Sequence, residues 1–174
     1  MSVKIGSCSI THSGCRTTVC AADGFEISFS SIGAGIQRVR VPVSGTLRDT
    51  VLSFKNPELY TPNSLYAGAT LAPTAGRITA GSFSVNGKPH PLAANENGTV
   101  NLHGGPENAS FAEWEASAPV MTDDGRIRLA YSIQLPDGLC GFPGNRNLTV
   151  IYTVGPDHTL LIEYEGVSDR DTYL

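Results

Sequence analysis

Between Arg126 and Leu135, apolar and polar positions alternate: Ile127, Leu129, Tyr131, Ile133 and Leu135 are separated by Arg128, Ala130, Ser132 and Gln134. A period of two sends successive side chains to opposite faces, so this run predicts a strand with one buried face and one mostly polar face. The period returns in Leu148, Val150, Tyr152 and Val154, and again in Leu160, Ile162 and Tyr164. Turn residues Thr122-Asp123-Asp124-Gly125 and Gly155-Pro156-Asp157 punctuate these runs, so three successive antiparallel strands are expected. Glu163 and Glu165 then face water, opposite Ile162 and Tyr164.

Upstream, Phe25, Ile27 and Phe29 alternate, as do Val39, Val41 and Val43, and Phe83-Ser84-Val85 followed by Asn86-Gly87 reads as a hairpin closed by a type I′ turn. A longer loop is expected from Pro136-Asp137-Gly138 through Gly141-Phe142-Pro143-Gly144. The stretch 55–78, with Pro57, Pro62, Pro73, Gly68 and Gly76, is too long for a hairpin connection, and long loops in compact domains tend to be functional or disordered. No segment has helical periodicity and no internal repeat or linker is visible. The fold class expected is all-β, an antiparallel sandwich or barrel in one domain or part of one.

With 40% hydrophobic and 16% charged residues over 174 positions, the chain is ordinary for a folded globular protein. Its net charge of −4, with no lysine or arginine run, argues against nucleic acid as a partner, because nonspecific binding to phosphates needs a basic stripe. The first 19 residues lack the apolar stretch of a signal peptide, and nothing later approaches a membrane span, so a cytoplasmic protein with no membrane partner is expected. Cys8, Cys15, Cys20 and Cys140 contain no CxxC pair and read as reduced thiols, without a metal. Asn97-Gly98-Thr99, Asn108-Ala109-Ser110 and Asn147-Leu148-Thr149 fit the glycosylation pattern but read as polar turns.

Candidate chemistry concentrates in Asn101-Leu102-His103-Gly104-Gly105 and in Gly76-Arg77-Ile78, which put an imidazole and a guanidinium on glycine-rich loops of a strand-rich scaffold. Glycines beside His103 let a hydroxyl-covered ligand approach the backbone while His103 and Arg77 supply hydrogen bonds, an arrangement suited to a sugar. The competing readings are a turn histidine bonded to backbone and an arginine in a surface salt bridge. Asn101 fits a role in positioning the His103 loop, or simply that of a turn asparagine. Trp114 reads as core more readily than as a sugar-stacking ring. His90 and His158 read as solvated, and Asp123, Asp124 and Asp137 are explained by Asp-Gly turns.

Taken in order, these motifs resemble the aldose 1-epimerase (galactose mutarotase) family. The pattern runs from Gly33-Ala34 through 49–54, Tyr66-Ala67-Gly68-Ala69, Gly76-Arg77-Ile78, Gly81-Ser82-Phe83, Asn86-Gly87, Leu92 and Asn95 to the His103 segment and Trp114. It continues in Pro136-Asp137-Gly138, Gly141-Phe142-Pro143-Gly144, the Thr149 to Val154 strand and Tyr164 to Thr172. The resemblance implies a galactose mutarotase-like supersandwich, truncated here. Residues 25–174 form its N-terminal half, and residues 1–24 form an N-terminal extension or first strand. It also implies interconversion of the α and β anomers of free aldoses such as glucose or galactose, with no cofactor, and a substrate-binding set of Arg77, His103 and Asn101. His103 matches the family's first active-site histidine.

The sequence departs from the family in two places. Where the family has Gly-Arg-Tyr-Ala-Asn-Arg-Ile, this chain has Ala72-Pro73-Thr74-Ala75-Gly76-Arg77-Ile78, which keeps only the second arginine. The chain also stops just before the family's Asn-Leu-Thr-Asn-His segment, so the second histidine, the base glutamate and a sugar-binding aspartate are absent and no residue here is assigned as catalytic. A fragment, one chain of a split enzyme, and a non-catalytic carbohydrate-binding β-sandwich all fit. Cutting a sandwich between strands leaves unpaired edges, so a complementing C-terminal chain or self-association is expected.

Overall fold

The computed structural model describes residues 2–5, 8–55, 57–60 and 65–174. Of the 55–78 stretch, Asn56 and residues 61–64, including Pro62, lie outside the described residues. The protein is all-β, with three single 3₁₀ turns as its other regular elements among those residues.

Six strands form an antiparallel meander in sequence order: β1 (Ser2–Ile5), β2 (Cys8–Ser13), β3 (Arg16–Cys20), β4 (Glu26–Ser30), β5 (Gly35–Val43) and β6 (Thr46–Asp49). Residues ahead of Phe25 thus supply three strands of this sheet, more than the single first strand their sequence suggests. The reason is that Thr17 is buried beside Val19 on β3, so a hydroxyl occupies a core position and hides the alternation.

Two small ladders follow. β7 (Arg77–Ile78) pairs with β10 (Asn101–Leu102), and β8 (Ser82–Val85) pairs with β9 (Lys88–Pro91). The second closes through Asn86 (φ 51°) and Gly87 (φ 76°), the two left-handed residues a type I′ turn demands.

The second large sheet holds β11 (Glu115–Ala116) and β12 (Val120–Met121), both on β13 (Ile127–Leu135), then β14 (Arg146–Val154) and β15 (Leu160–Ser168). β13 buries Ile127, Leu129, Tyr131 and Leu135 and exposes Arg128, Ser132 and Gln134, as its alternation predicts. β14 departs from that rule: Ile151 and Thr153 are buried as well as Val150, Tyr152 and Val154, so both faces of this central strand are covered along its second half.

The two sheets share one core. Phe29 of β4 stacks on Tyr152 of β14 with ring centroids 4.5 Å apart, and the Tyr152 hydroxyl donates to the Ala34 carbonyl at 2.5 Å. Ile10, Val19 and Ile27 meet Leu129, Tyr131 and Val150 across the same layer. Burial drives the Tyr131 phenol up to about 12, so it stays protonated in the core. A satellite cluster of Phe83, Leu92, Cys140 and Phe142 lies under the β8–β9 hairpin.

β15 corrects one expectation. Glu163 and Glu165 are exposed as predicted, but of the facing series only Leu160 and Ile162 are half-buried, while Tyr164 is 65% exposed. The core ends before Tyr164, and nothing among the described residues covers it.

Candidate functional site

The site is assembled by a ladder only two residues long. Pairing of β7 with β10 sets Arg77 opposite Leu102 and Ile78 opposite Asn101. Immediately after Leu102 the chain makes three successive left-handed residues, His103 (φ 52°), Gly104 (φ 93°) and Gly105 (φ 100°). Gly104 is required by space as well as by backbone, since a Cβ there would lie 2.3 Å from Pro73 Cδ.

This turn locks the imidazole. The His103 N–H donates to the Gly76 carbonyl at 2.9 Å, and the Gly76 N–H donates to His103 Nδ1 at 3.0 Å. Tyr66 meets the ring edge-on at 4.7 Å. With Nδ1 accepting a hydrogen bond, the neutral ring carries its proton on Nε2, which has no protein partner among the described residues. Burial pushes the His103 pKa below its ordinary value and the nearby Arg77 cation adds to that, against a smaller upward pull from Glu96. The ring is therefore a neutral donor at neutral pH.

Arg77 is exposed, and its guanidinium is engaged on one edge only. Nε donates to Glu96 Oε2 at 2.5 Å and Nη2 to Glu96 Oε1 at 2.8 Å. Arg77 therefore forms a surface salt bridge and also lines the cavity beside His103. The Arg77 hydrogen bonds hold the Glu96 carboxyl below the usual carboxylate range. Asn95 fixes the register: its side chain accepts from the Leu102 N–H at 2.7 Å and donates to the Leu102 carbonyl at 3.0 Å, pairing with β10 as a strand residue would.

Asn101 lies behind the wall. It is fully buried and its Nδ2 donates to the Ala93 carbonyl at 2.8 Å, so it supports the loop without reaching the cavity. Asn108 does comparable work from the other side, donating to the Gly105 carbonyl at 2.7 Å and accepting from the Ser110 N–H at 3.0 Å. Its burial, with that of Ser110, makes this sequon an internal turn and not a surface one.

These residues border a cavity of about 750 Å³ whose lining combines Tyr66, Leu71 and Phe111 with Arg77, Glu96 and His103. A lining that mixes apolar and aromatic side chains with hydrogen-bond donors and acceptors suits a compact polyhydroxylated ligand. Asn95, Glu96 and Asn108 were not among the residues the sequence singled out for the site. A carboxylate within reach of Arg77 is the kind of signal that could have marked Glu96, had the ladder been known.

Other candidates fall elsewhere. Trp114 is core, 2% exposed, with Nε1 donating to the Ala109 carbonyl at 2.8 Å. His158 is not simply solvated: it stacks on Phe25 at 4.5 Å and pairs with Asp23 at 2.6 Å. His90 lies against the Phe83 ring at 5.5 Å. Among the described residues no group of three His, Cys, Asp or Glu side chains could hold a metal ion, and no helix is long and apolar enough to cross a membrane.

The model of the family described as aldose 1-epimerase matches residues 16–174. The chain belongs to the aldose 1-epimerase family. It is 34% identical over 152 residues to an aldose 1-epimerase of Haemophilus influenzae, an alignment covering 87% of this chain and 42% of that protein. It is 31% identical over 152 residues to a galactose mutarotase of Bos taurus, again covering 87% and 42%. The fold matches that of a crystal structure of a galactose 1-epimerase from Lactobacillus acidophilus with a TM-score of 0.78 at 24% identity, over 98% of this chain and 48% of that one. The chain thus spans less than half the length of these aldose 1-epimerase family relatives.

Proposed function

We propose that this chain provides the sugar-binding side of an aldose 1-epimerase that interconverts the α and β anomers of free hexoses such as glucose or galactose. The observation that carries this reading is the doubly bonded His103–Gly76 contact, which fixes an imidazole with an unbonded Nε2–H in the lining of a sugar-sized cavity in a chain of this family. His103 donates to a sugar oxygen, Arg77 donates from its free guanidinium edge to neighbouring hydroxyls, and Asn101 holds the loop from behind.

Anomer exchange needs a general base that takes the C1 hydroxyl proton and a general acid that protonates the ring oxygen, so that the ring opens, C1 rotates and the ring recloses on the other face. A neutral His103 with lowered pKa is a poor acid and is given the binding role, and both proton-transfer roles fall to the part of the fold that the relatives have in addition, whether it is continuous with this chain or supplied by a complementing C-terminal chain. The excess length of the relatives supports that division. Four unpaired thiols accord with a cytoplasmic setting.

The test is polarimetry of fresh α-D-glucose and α-D-galactose with the purified chain, run beside a sugar titration followed by NMR. The expected result is perturbation of His103 and Arg77 resonances without faster mutarotation. Acceleration that disappears in His103→Ala would place the acid and base within these residues, and an absence of any sugar contact would overturn the reading altogether.

A further inference from the structure

Glu96 is a charged residue on the cavity wall with no part in the binding set described above. It sits in a tight turn: the Glu96 N–H donates to the Val100 carbonyl at 3.1 Å, the Val100 N–H returns to the Glu96 carbonyl at 3.0 Å, and Asn97 (φ 51°) with Gly98 (φ 73°) closes the hairpin. The Asn95 clamp on Leu102 pins this hairpin beside β10 and so delivers the Glu96 carboxylate to Arg77 across the β7–β10 ladder.

The resulting contact is two parallel hydrogen bonds from Nε and Nη2, the fork geometry in which a guanidinium binds a carboxylate or a phosphate equally well. An arginine bordering a small cavity is an anion site unless something else fills that fork. Here Glu96 fills it from within the same cavity wall, two of the five N–H donors are consumed, and the three that remain point away from the bidentate edge. The charge balance follows directly. Arg77 and Glu96 cancel, and His103 is neutral, so the wall offers hydrogen bonds with no net charge.

We propose that Glu96 is a specificity-determining residue that occupies the anion-binding edge of Arg77 and so restricts the cavity to uncharged sugars, excluding sugar phosphates. This rests on the proposed sugar site for its ligand but not for its test, because the fork's response to phosphate can be read without any sugar. Each carboxylate oxygen keeps a lone pair for a sugar hydroxyl, and the neighbouring hydroxyl of a diol can accept from the open edge of Arg77. A phosphate meets the carboxylate's negative charge at the same place. Two like charges competing for one guanidinium edge disfavour the phosphate relative to an uncharged sugar, by about the modest factor expected for a solvent-exposed pair.

The experiment is a set of NMR titrations of the 174-residue chain and its Glu96→Gln variant with D-galactose, galactose 6-phosphate and inorganic phosphate. Glutamine keeps the shape and one acceptor, so the loop stays in place while the charge is removed. Glu96→Gln is expected to bind both phosphate probes about tenfold more tightly and galactose no more tightly than the parent. Adding Arg77→Gln to it should abolish the gain. Misfolding would weaken every ligand, so a gain for phosphate alongside no gain for galactose isolates the charge effect, and a matching melting curve checks it. Unchanged phosphate binding in Glu96→Gln would overturn the inference. Failure of the parent chain to bind galactose, with the phosphate gain intact, would count against the sugar reading and leave the role of Glu96 standing.

Discussion

Gly76 and His103 are joined twice, backbone to backbone at 2.9 Å and backbone to ring at 3.0 Å, so the imidazole cannot turn without losing its bond from the Gly76 N–H. Protonation breaks one of these contacts chemically. A charged imidazolium has no lone pair on Nδ1, and the Gly76 N–H would face a second donor. Burial and Arg77 already place the folded pKa below the unfolded value of about 6.5. The unfolded chain therefore binds more protons in the window just below that value, and stability rises with pH through it. The contribution of His103 is complete above about pH 6.5 and is lost as pH falls through the folded pKa. Sugar affinity is expected to fall on the same limb, by up to about tenfold per pH unit below that pKa. Titration of the His103 ring by NMR, beside a His103→Gln variant lacking this step, checks both; a folded pKa at or above the ordinary one would refute it.

Gly104→Ala is expected to cost about 3 kcal/mol, from a residue held at positive φ plus a collision with a rigid proline ring 2.3 Å away. Gly98→Ala is the control. Gly98 also has positive φ (73°), but a Cβ there meets nothing within 4 Å, so only backbone strain of about 1 kcal/mol applies. Urea denaturation of both variants separates packing from strain. Equal costs would show that the loop moves away from Pro73 freely, and the rigid-wall account of the site would fail.

Asn95→Ala removes both side-chain bonds to Leu102 and is expected to cost about 1 kcal/mol, a modest figure because Asn95 is exposed and water replaces what is lost. Its local effect is larger. The Leu102 amide loses its acceptor and should exchange with solvent faster than its neighbours, and the Glu96 hairpin should lose its alignment with Arg77. Hydrogen exchange resolved at Leu102 reads this directly; protection equal to that of the parent would mean the ladder stands without the clamp.

How much of this was legible in advance depended on how many partners an element has to satisfy. β13 faces the core on one side only, so its alternation could be read from Ile127 to Leu135 without knowing its neighbours. The hairpin at Asn86-Gly87 was equally plain, because the turn's positive φ values select those residues. β3 was hidden because Thr17 is buried there beside Val19. At the site, the segments carrying His103 and Arg77 stood out as glycine-rich motifs. Glu96 did not, because it lies nineteen positions from Arg77 and meets it only through a ladder two residues long. Nothing in the composition of Asn95-Glu96-Asn97-Gly98 separates a carboxylate aimed into a cavity from an ordinary polar turn.

The free edge of β15 carries the last prediction. This nine-residue strand pairs with β14 and, among the described residues, with nothing on its other side. Leu161, Tyr164 and Val167 on it are 49%, 65% and 66% exposed, and Leu174 beside it is 50% exposed. A long edge with unpaired N–H and C=O groups and apolar side chains is a template for another strand. The isolated chain is therefore expected to self-associate in a concentration-dependent way, with sedimentation velocity showing dimers or larger species. Val167→Lys places a charge on that edge where no packing is lost, so it should shift the population towards monomer while changing stability by no more than about 0.5 kcal/mol. A parent chain that stays monomeric over a wide concentration range and melts in a single cooperative transition would show that β15 is tolerated as a bare edge, and the expectation of a partner strand there would have to be given up.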